Sequence, residues 1–371
     1  MRDNSLINLG TNFDVHLYKP GDEIEPGDIN GIVELLKIAF PFWLNLKAPI
    51  DYWKWRYFEN YHGSIVTVAK KGDRIIGVDH NMHQIVRISG SVYPCTFGSE
   101  TATHPDFRGM GVWAKMRESN NKYREENKIA FSYSNSENPI VIKSSQRRKR
   151  SFFPHQMIEM KRMKDTQHID SLIKRSGFVF LKLLNRISNL LMLEPKNEVS
   201  FVIIEITKFD EDIDKFIGKT ESHYNFFIEK NHEYLNWRYC DPRGGKYIIK
   251  TAVDDSEILG YVVLELMNSE NGLVGNIADL LALPDRNDVA ASLLRESCNY
   301  LDGLGVNSVD FGVVKGHPYQ RISSSFGFID MSIIQKMVTY GNFEKIKKEY
   351  GELEKSSPDK IYFNLGDVFL H

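Results

Sequence analysis

The chain has 371 residues, of which 42% are hydrophobic and 26% charged, and its formal net charge is −2. This length exceeds that of most single domains, so we expect two, and the balanced charge excludes a general attraction to nucleic acid or anionic lipid. Cys95, Cys240 and Cys298 are too widely spaced for a disulfide framework or a zinc cage of the Cys-x-x-Cys type.

The sequence also indicates where the protein works. No stretch supplies the ~18 uncharged apolar residues that a membrane-spanning helix requires. The N-terminal residues lack the apolar core of a secretion signal. We therefore expect a cytoplasmic protein without a transmembrane segment. His104 and His155 have no metal-ligand spacing to other histidines or cysteines, so no metal site is expected.

In chain order, the first half predicts strand, helix, strands, helix and strand. Residues 13–23 alternate apolar and polar side chains and end in an acidic turn before a helical pattern. Residues 51–77 begin with a Tyr-x-x-Trp-Arg-Tyr motif and continue as apolar runs joined by a tight turn, which predicts antiparallel strands. The strand at 95–103 leads through Pro105 and a helix to the strand-like residues 129–134, which gives a parallel pair.

The second half repeats this order. Residues 233–260 share with residues 51–77 the spacing of tyrosine, tryptophan and arginine, and a final glycine follows the tryptophan by 23 positions here and by 22 in the first half. Residues 201–212 again alternate before a helical pattern, and Pro284 again leads through a helix to a strand-like segment at 306–314. Each half is therefore expected to form one mixed sheet flanked by helices.

The loop at 103–113, THPDFRGMGVW, carries two glycines and an arginine before the first-half helix. A helix N-terminus presents unpaired N–H groups and a partial positive charge, and glycine lets a ligand approach the backbone. The loop therefore predicts a pyrophosphate site to which Arg108 adds charge. GMGVWA also fits a dinucleotide fingerprint, but five residues separate it from the strand and the nearest acid, Glu137, lies too far along.

This pattern resembles the GNAT superfamily of acyl-coenzyme A N-acyltransferases, in which a strand, Val-x-Pro, a bend and Arg-x-x-Gly-x-Gly or Ala open a helix. Thr103, Pro105, Arg108 and Gly111 match it, and Trp113 replaces the last glycine. The resemblance implies that the coenzyme contacts Ala102, Thr103, Arg108, Gly109, Met110, Gly111, Val112, Trp113 and Asn138. The second half lacks the glycines, which implies a degenerate cofactor site.

We therefore predict an α+β (mixed α/β) fold of two tandem GNAT-like domains, each with a mostly antiparallel sheet and one parallel, splayed pair of strands. Residues 1–160 are expected to bind coenzyme, residues 161–200 to form a helical connector, and residues 201–371 to form the second domain. Residues 177–192 are apolar at helical spacing, which favours packing between the domains, with a membrane surface as the alternative.

Acyl transfer to an amine needs donors for the developing oxyanion and a route for the ammonium proton to leave. By resemblance, an amide at or beside Thr103 supplies the donor. Glu100 is the candidate proton acceptor, because an unpaired charge on its small, apolar strand would be costly; the alternative is an ion pair with a lysine. Tyr133 is the candidate general acid, with a core aromatic as the alternative.

The predicted function is acetyl transfer from acetyl-CoA to a primary amine of a small molecule by direct attack in a ternary complex. An amino sugar of surface-polysaccharide biosynthesis is the first choice of acceptor, no nucleic acid is expected, and a homodimer is one expected assembly. The alternatives are a Fem-like transferase using aminoacyl-tRNA, with residues 147–150 as its basic patch, and a non-catalytic coenzyme A module. The Trp-Arg-Tyr motifs occur in both halves and are expected to be structural.

Overall fold

The computed structural model describes residues 12–136, 142–143, 153–164, 200–269, 272–340 and 346–367. Asn138 and the segments 147–150 and 177–192 lie outside this part of the chain. The chain divides into two compact units. Unit 1 runs through residue 84 and resumes over Pro94–Ser134, and unit 2 holds Ile85–Tyr93 and the chain from Asn135 onward. The domain limits inferred above stay predictions.

Unit 1 contains a mixed sheet. Its strands, in sheet order, are Asp14–Tyr18 (β1), Ser64–Lys71 (β2), Arg74–Ile88 (β3), Ser91–Thr103 (β4) and Phe131–Ser136 (β5). The pairs β1–β2 and β2–β3 are antiparallel, whereas β4 and β5 are parallel. The parallel register ends at Phe97 and Tyr133, and β4 continues beyond it to Thr103, so the two strands separate there.

Three α-helices accompany this sheet within the described residues of unit 1. They are Pro26–Ala39 (α1), Pro49–Trp53 (α2) and Val112–Glu126 (α3). A π-helical turn, Lys54–Phe58, continues α2, and such turns are common at functional sites. α3 packs on the face that carries Gly77, where a Cβ atom would lie 2.6 Å from Cγ1 of Val112. Glycine is needed there because the helix approaches the strand so closely.

Unit 2 repeats the arrangement. Its strands are Met157–Met163 (β6), Val202–Ile206 (β7), Phe226–Ile228 (β8), Tyr247–Asp254 (β9), Glu257–Ser269 (β10), Gly272–Ala282 (β11), Ser308–Val314 (β12) and Ile329–Tyr340 (β13). The sheet order is β7-β9-β10-β11-β12-β6-β13, and β8 pairs with residues 86–88, in the part of β3 that belongs to unit 2. β11 and β12 are parallel, and their register ends at Ile277 and Phe311. The predicted α+β fold, with one parallel pair in each copy, is confirmed.

The helices of unit 2 show the same correspondence. They are Asp212–Glu221 (α4), His232–Leu235 (α5), Asn287–Gly303 (α6), Pro318–Ser325 (α7) and Lys347–Lys355 (α8). A π-helical turn again continues the short helix, at Asn236–Cys240. Gly260 again lies under a valine, with its Cβ position 3.1 Å from Cγ1 of Val289. Within the described ranges, no helix is both long and apolar enough to cross a bilayer.

One strand differs from expectation. Residues 161–163, which the sequence placed in the helical connector, continue β6, and β6 pairs antiparallel with both β12 and β13. Its charged residues find acidic partners much later in the chain: Lys161 lies 3.1 Å from Asp310, and Arg162 lies 2.7 Å from Asp302. A local pattern cannot show such partners, so the strand was missed.

Candidate active site

The loop between β4 and α3 has the backbone geometry that a phosphate cradle requires. Gly109 and Gly111 have φ values of +80° and +79°, in the left-handed region that favours glycine. A Cβ atom at either position would meet no described heavy atom within 4 Å, so backbone direction, and not crowding, requires these glycines. Gly111 is the N-cap of α3, whose first N–H groups have no intrahelical acceptor.

Charged and aromatic side chains border this helix end. The exposed Arg108 donates from Nε to the carbonyl oxygen of Thr103 at 3.4 Å, which ties it to the end of β4. Trp113, in the first turn of α3, is 37% exposed, and the Arg117 guanidinium lies 5.2 Å from its ring centroid.

The other predicted coenzyme residues differ in exposure. The side chains of Ala102 and Val112 are buried, which leaves only their backbone for a ligand. Met110, by contrast, is 47% exposed.

Glu100 lies on β4, and its carboxylate meets side chains from the two short helical turns Pro41–Leu44 and Lys54–Phe58. Trp43 donates from Nε1 to Glu100 Oε1 at 2.8 Å, and the Tyr57 hydroxyl donates to Glu100 Oε2. The partners that the described residues supply are thus an indole and a phenol, and not the lysine of the alternative interpretation. Tyr57 also lies 3.0 Å from the hydroxyl of Ser99, the residue before Glu100.

Arg56 and Tyr57 come from the Trp-Arg-Tyr motif, which the sequence analysis expected to be structural. The motif lies in the π-helical turn, and its members are buried. Arg56 donates to the Tyr52 hydroxyl at 2.9 Å and to the Ser99 hydroxyl at 3.2 Å. The motif therefore builds the surroundings of Glu100, and sequence reasoning missed this contribution.

The electrostatic environment keeps Glu100 ionised. Burial by itself would raise the pKa of Glu100, but the positive charge of Arg56 and hydrogen bonds from Tyr57 and Trp43 outweigh it, so the pKa is lowered. Burial is the main cause that raises the pKa of Tyr57, so the phenol stays protonated and donates. The site therefore contains an ionised carboxylate under the electrostatic influence of a buried arginine at neutral pH.

His80, on β3, contacts both Glu100 and Tyr57. Trp53 donates from Nε1 to His80 Nε2 at 3.0 Å, so Nδ1 carries the ring proton and donates to the Glu100 carbonyl oxygen at 2.8 Å. The imidazole also stacks on the Tyr57 ring, with centroids 3.9 Å apart and planes at 19°. Burial is the largest cause that lowers the pKa of His80, which favours the neutral ring.

Tyr133 lies in a different environment. Its side chain is fully buried, its hydroxyl donates to Gln84 Oε1, and its ring lies 5.2 Å from that of Phe97. These contacts favour the alternative of a core aromatic. Its assignment as general acid stays a prediction.

Unit 2 contains a counterpart of Glu100. Asp279 precedes Pro284 by five residues, as Glu100 precedes Pro105, and Tyr239 donates to it at 3.2 Å. Here, however, the buried Nζ atom of Lys230 lies 2.7 Å from Asp279 and 2.8 Å from Asp367.

The C-terminal residues 361–367 occupy the region beside Asp279. Tyr362 donates to Asp279 and to the carbonyl oxygen of Leu280, the latter at 3.1 Å, and Asn364 donates to Asp279 at 2.6 Å. A Cβ atom at Gly366 would collide with the Tyr239 hydroxyl, so the segment fits there only with glycine. The segment lies against β11 and β12 where these strands separate.

The helix end in unit 2 also differs from the cradle. The loop after Pro284 contains no glycine, and α6 begins three residues later. Arg286 forms a two-point ion pair with Asp288, with N–O distances of 2.9 and 2.8 Å. A carboxylate therefore lies where the partial charge of the helix would favour a phosphate.

Comparisons with known proteins agree with this geometry. Residues 22–139 match a family model described as an acetyltransferase (GNAT) domain, whereas no curated protein matches the chain in sequence. Among solved structures, the chain resembles a probable N-acyltransferase from Enterococcus faecalis, with a TM-score of 0.60 and 12% identity over 88% of this chain and 72% of the other.

Two further structures have similar folds. A tandem GNAT protein of clavulanic acid biosynthesis gives a TM-score of 0.53 and 12% identity, over 88% of this chain and 98% of the other. Saccharomyces cerevisiae N-myristoyltransferase with bound myristoyl-CoA gives 0.55 and 8%, over 91% and 81%. At these identities the likeness is one of fold, and it confirms the tandem arrangement.

Proposed function

We propose that unit 1 transfers an acyl group, most simply acetyl, from acyl-coenzyme A to a primary amine of a small molecule, because residues 22–139 match an acetyltransferase (GNAT) domain and the fold resembles that of a tandem GNAT protein. The observation that carries this proposal is the joint presence of the cradle and of an ionised Glu100 on the same strand-loop-helix segment. The coenzyme's pyrophosphate would lie at the N-terminus of α3, beside Arg108.

The proposed reaction is direct attack. The acceptor arrives as an ammonium ion beside the Glu100 carboxylate and loses one proton, which passes to water. The amine nitrogen then attacks the thioester carbon, and a backbone amide at or beside Thr103 donates to the oxyanion. The C–S bond breaks, the nitrogen loses its second proton and the thiolate gains one. The products are the amide, coenzyme A and one proton released to solvent.

Glu100 suits this step as an anchor more than as a strong base. A lowered pKa means that the carboxylate holds a proton weakly, so it passes the proton on to water. Its negative charge is fixed by donors from Trp43 and Tyr57, so little reorganisation is needed when the ammonium arrives.

We propose that only unit 1 binds coenzyme. Three features of unit 2 support this: the acidic helix end at Asp288, the absence of glycine after Pro284, and the C-terminal segment that lies between the separated strands. The acidic helix end repels the pyrophosphate, and the loop without glycine keeps a ligand away from the backbone. The C-terminal segment takes the space that the pantetheine arm would need.

The acceptor and the cellular location complete the proposal. An amino sugar is the first acceptor to try, and the three cysteines, all free in the structure, fit the cytoplasm. The test is release of free thiol from acetyl-CoA in the presence of a panel of amino sugars, amino acids and alkylamines. Release with at least one amine is expected. Binding of acetyl-CoA without release with any amine would support the non-catalytic module instead.

A further inference from the structure

The two copies differ at a position that precedes the tyrosine of the Trp-Arg-Tyr motif by four residues. Lys230 precedes the tyrosine and tryptophan of the second Trp-Arg-Tyr motif by four and seven residues. In the first copy Ala48 precedes Tyr52 and Trp55 by the same intervals. Ala48 is the N-cap of its short helix, Lys230 lies one residue before the N-cap Asn231 of the other, and each helix continues into a π-helical turn at the same distance from these residues. They therefore occupy equivalent places in the repeat.

Lys230 shows how a primary ammonium binds in this framework. Its Nζ atom is fully buried, lies 2.7 Å from the counterpart of Glu100, and is 5.3 Å from the ring centroid of Tyr362. A carboxylate and an aromatic face together are the surroundings that an alkylammonium ion prefers. In unit 1 the side chain at this place is only a methyl group, and Ala48 is exposed.

We infer that Lys230 occupies in unit 2 the place that the acceptor's ammonium takes in unit 1, so that Ala48 keeps the acceptor subsite open. This inference rests on the proposed function and narrows its acceptor to an unbranched primary alkylammonium, R–CH2–NH3+, that enters past Ala48 toward Glu100, so that among amino sugars those with the amine on a CH2 group are the ones expected to react. Aromatic side chains cluster one turn after Ala48, where the Tyr52 ring packs against those of Trp43 at 5.5 Å and Phe42 at 5.6 Å.

Charge in the two copies is consistent with this placement. In unit 2 the buried cations Lys230 and Arg238 accompany two carboxylates, Asp279 and Asp367. In unit 1 Arg56 already accompanies Glu100, so an arriving ammonium adds one positive charge. Loss of a proton restores neutrality, which favours the free amine that the reaction needs.

The test is Ala48→Lys in the full chain, with Ala48→Met as a control of similar length and no charge. An ammonium tethered beside Glu100 should compete with the acceptor, so the KM for the amine is expected to rise at least tenfold. The affinity for acetyl-CoA should stay within twofold of wild type. Ala48→Met should raise the KM by a much smaller factor.

A second measurement keeps the inference falsifiable. In the Glu100→Gln background, Ala48→Lys and Ala48→Met should raise the KM for the amine by similar factors, because the introduced lysine then lacks its carboxylate. Equal effects of the two substitutions in an active enzyme would overturn the inference and leave the proposed function standing. If the wild type releases no thiol with any amine, the proposed function and the inference both fail.

Discussion

Gly111→Val tests the cradle most specifically. With φ at +79°, a valine there is strained, and backbone strain of this kind costs about 1–3 kcal/mol. The branched side chain would also stand over the first amides of α3, where the pyrophosphate is expected. Two lost hydrogen bonds to a charged ligand, at about 1.5–3 kcal/mol each, correspond to a loss of affinity of roughly 10²- to 10⁴-fold.

Gly21→Val is the matched control. Gly21 has a φ of +88° and, like Gly111, no described heavy atom within 4 Å of its Cβ position. Both variants should therefore lose similar stability, a few degrees in Tm. Thermal unfolding measures that shared cost, and calorimetric titration with acetyl-CoA measures binding. Wild-type affinity in Gly111→Val, or equal loss in both variants, would refute the assignment of the loop as the coenzyme site.

Four further predictions concern the carboxylates and the residues that hold them. Glu100→Gln should reduce the rate of thiol release about 10²- to 10⁴-fold, with unchanged affinity for acetyl-CoA. The reduction should be largest at low pH, where the substrate ammonium is hardest to deprotonate. An unchanged pH–rate profile would show that Glu100 takes no part in proton transfer. Because folding lowers the pKa of Glu100, its ionised form stabilises the folded protein above the ordinary glutamate pKa. Wild type should therefore be more stable than Glu100→Gln at neutral pH and should lose this difference as the pH falls below that value. Urea unfolding at pH 7 and pH 3 measures the difference. His80→Phe keeps a ring stacked on Tyr57 but loses the donor to the Glu100 carbonyl oxygen, so kcat should fall about ten- to hundredfold. His80→Asn restores a donor and should recover part of the lost kcat. Equal kcat values for the two variants would mean that His80 contributes through packing alone. Lys230→Met leaves two buried carboxylates without their cation and should cost about 3–5 kcal/mol in urea unfolding while the folded protein still releases thiol; unchanged stability would contradict the buried network.

The sequence was sufficient to predict those features that local backbone geometry determines. The two glycines of the cradle, the helix that follows and the paired positions of Gly77 and Gly260 could all be inferred, because each depends on neighbours in the chain or on the internal repeat. The position of Glu100 on its strand followed from the same motif.

Contacts between distant segments could not be inferred in this way. Trp43 and Tyr57 reach Glu100 from positions 57 and 43 residues earlier, and nothing in their local pattern distinguishes them from core aromatics. The repeat did contain a usable signal: both copies combine a Trp-Arg-Tyr motif with a carboxylate five residues before a proline. Comparing Glu100 with Asp279 would have connected the motif to the site.

The most direct test of the central claim is the stoichiometry of acetyl-CoA binding to the wild-type chain, measured by calorimetric titration. The cradle in unit 1 and the occupied, acidic counterpart in unit 2 predict one molecule bound per chain. A value near two would contradict the occupation of the second copy by the C-terminal segment, and no binding at high ligand concentration would contradict the assignment of the cradle itself.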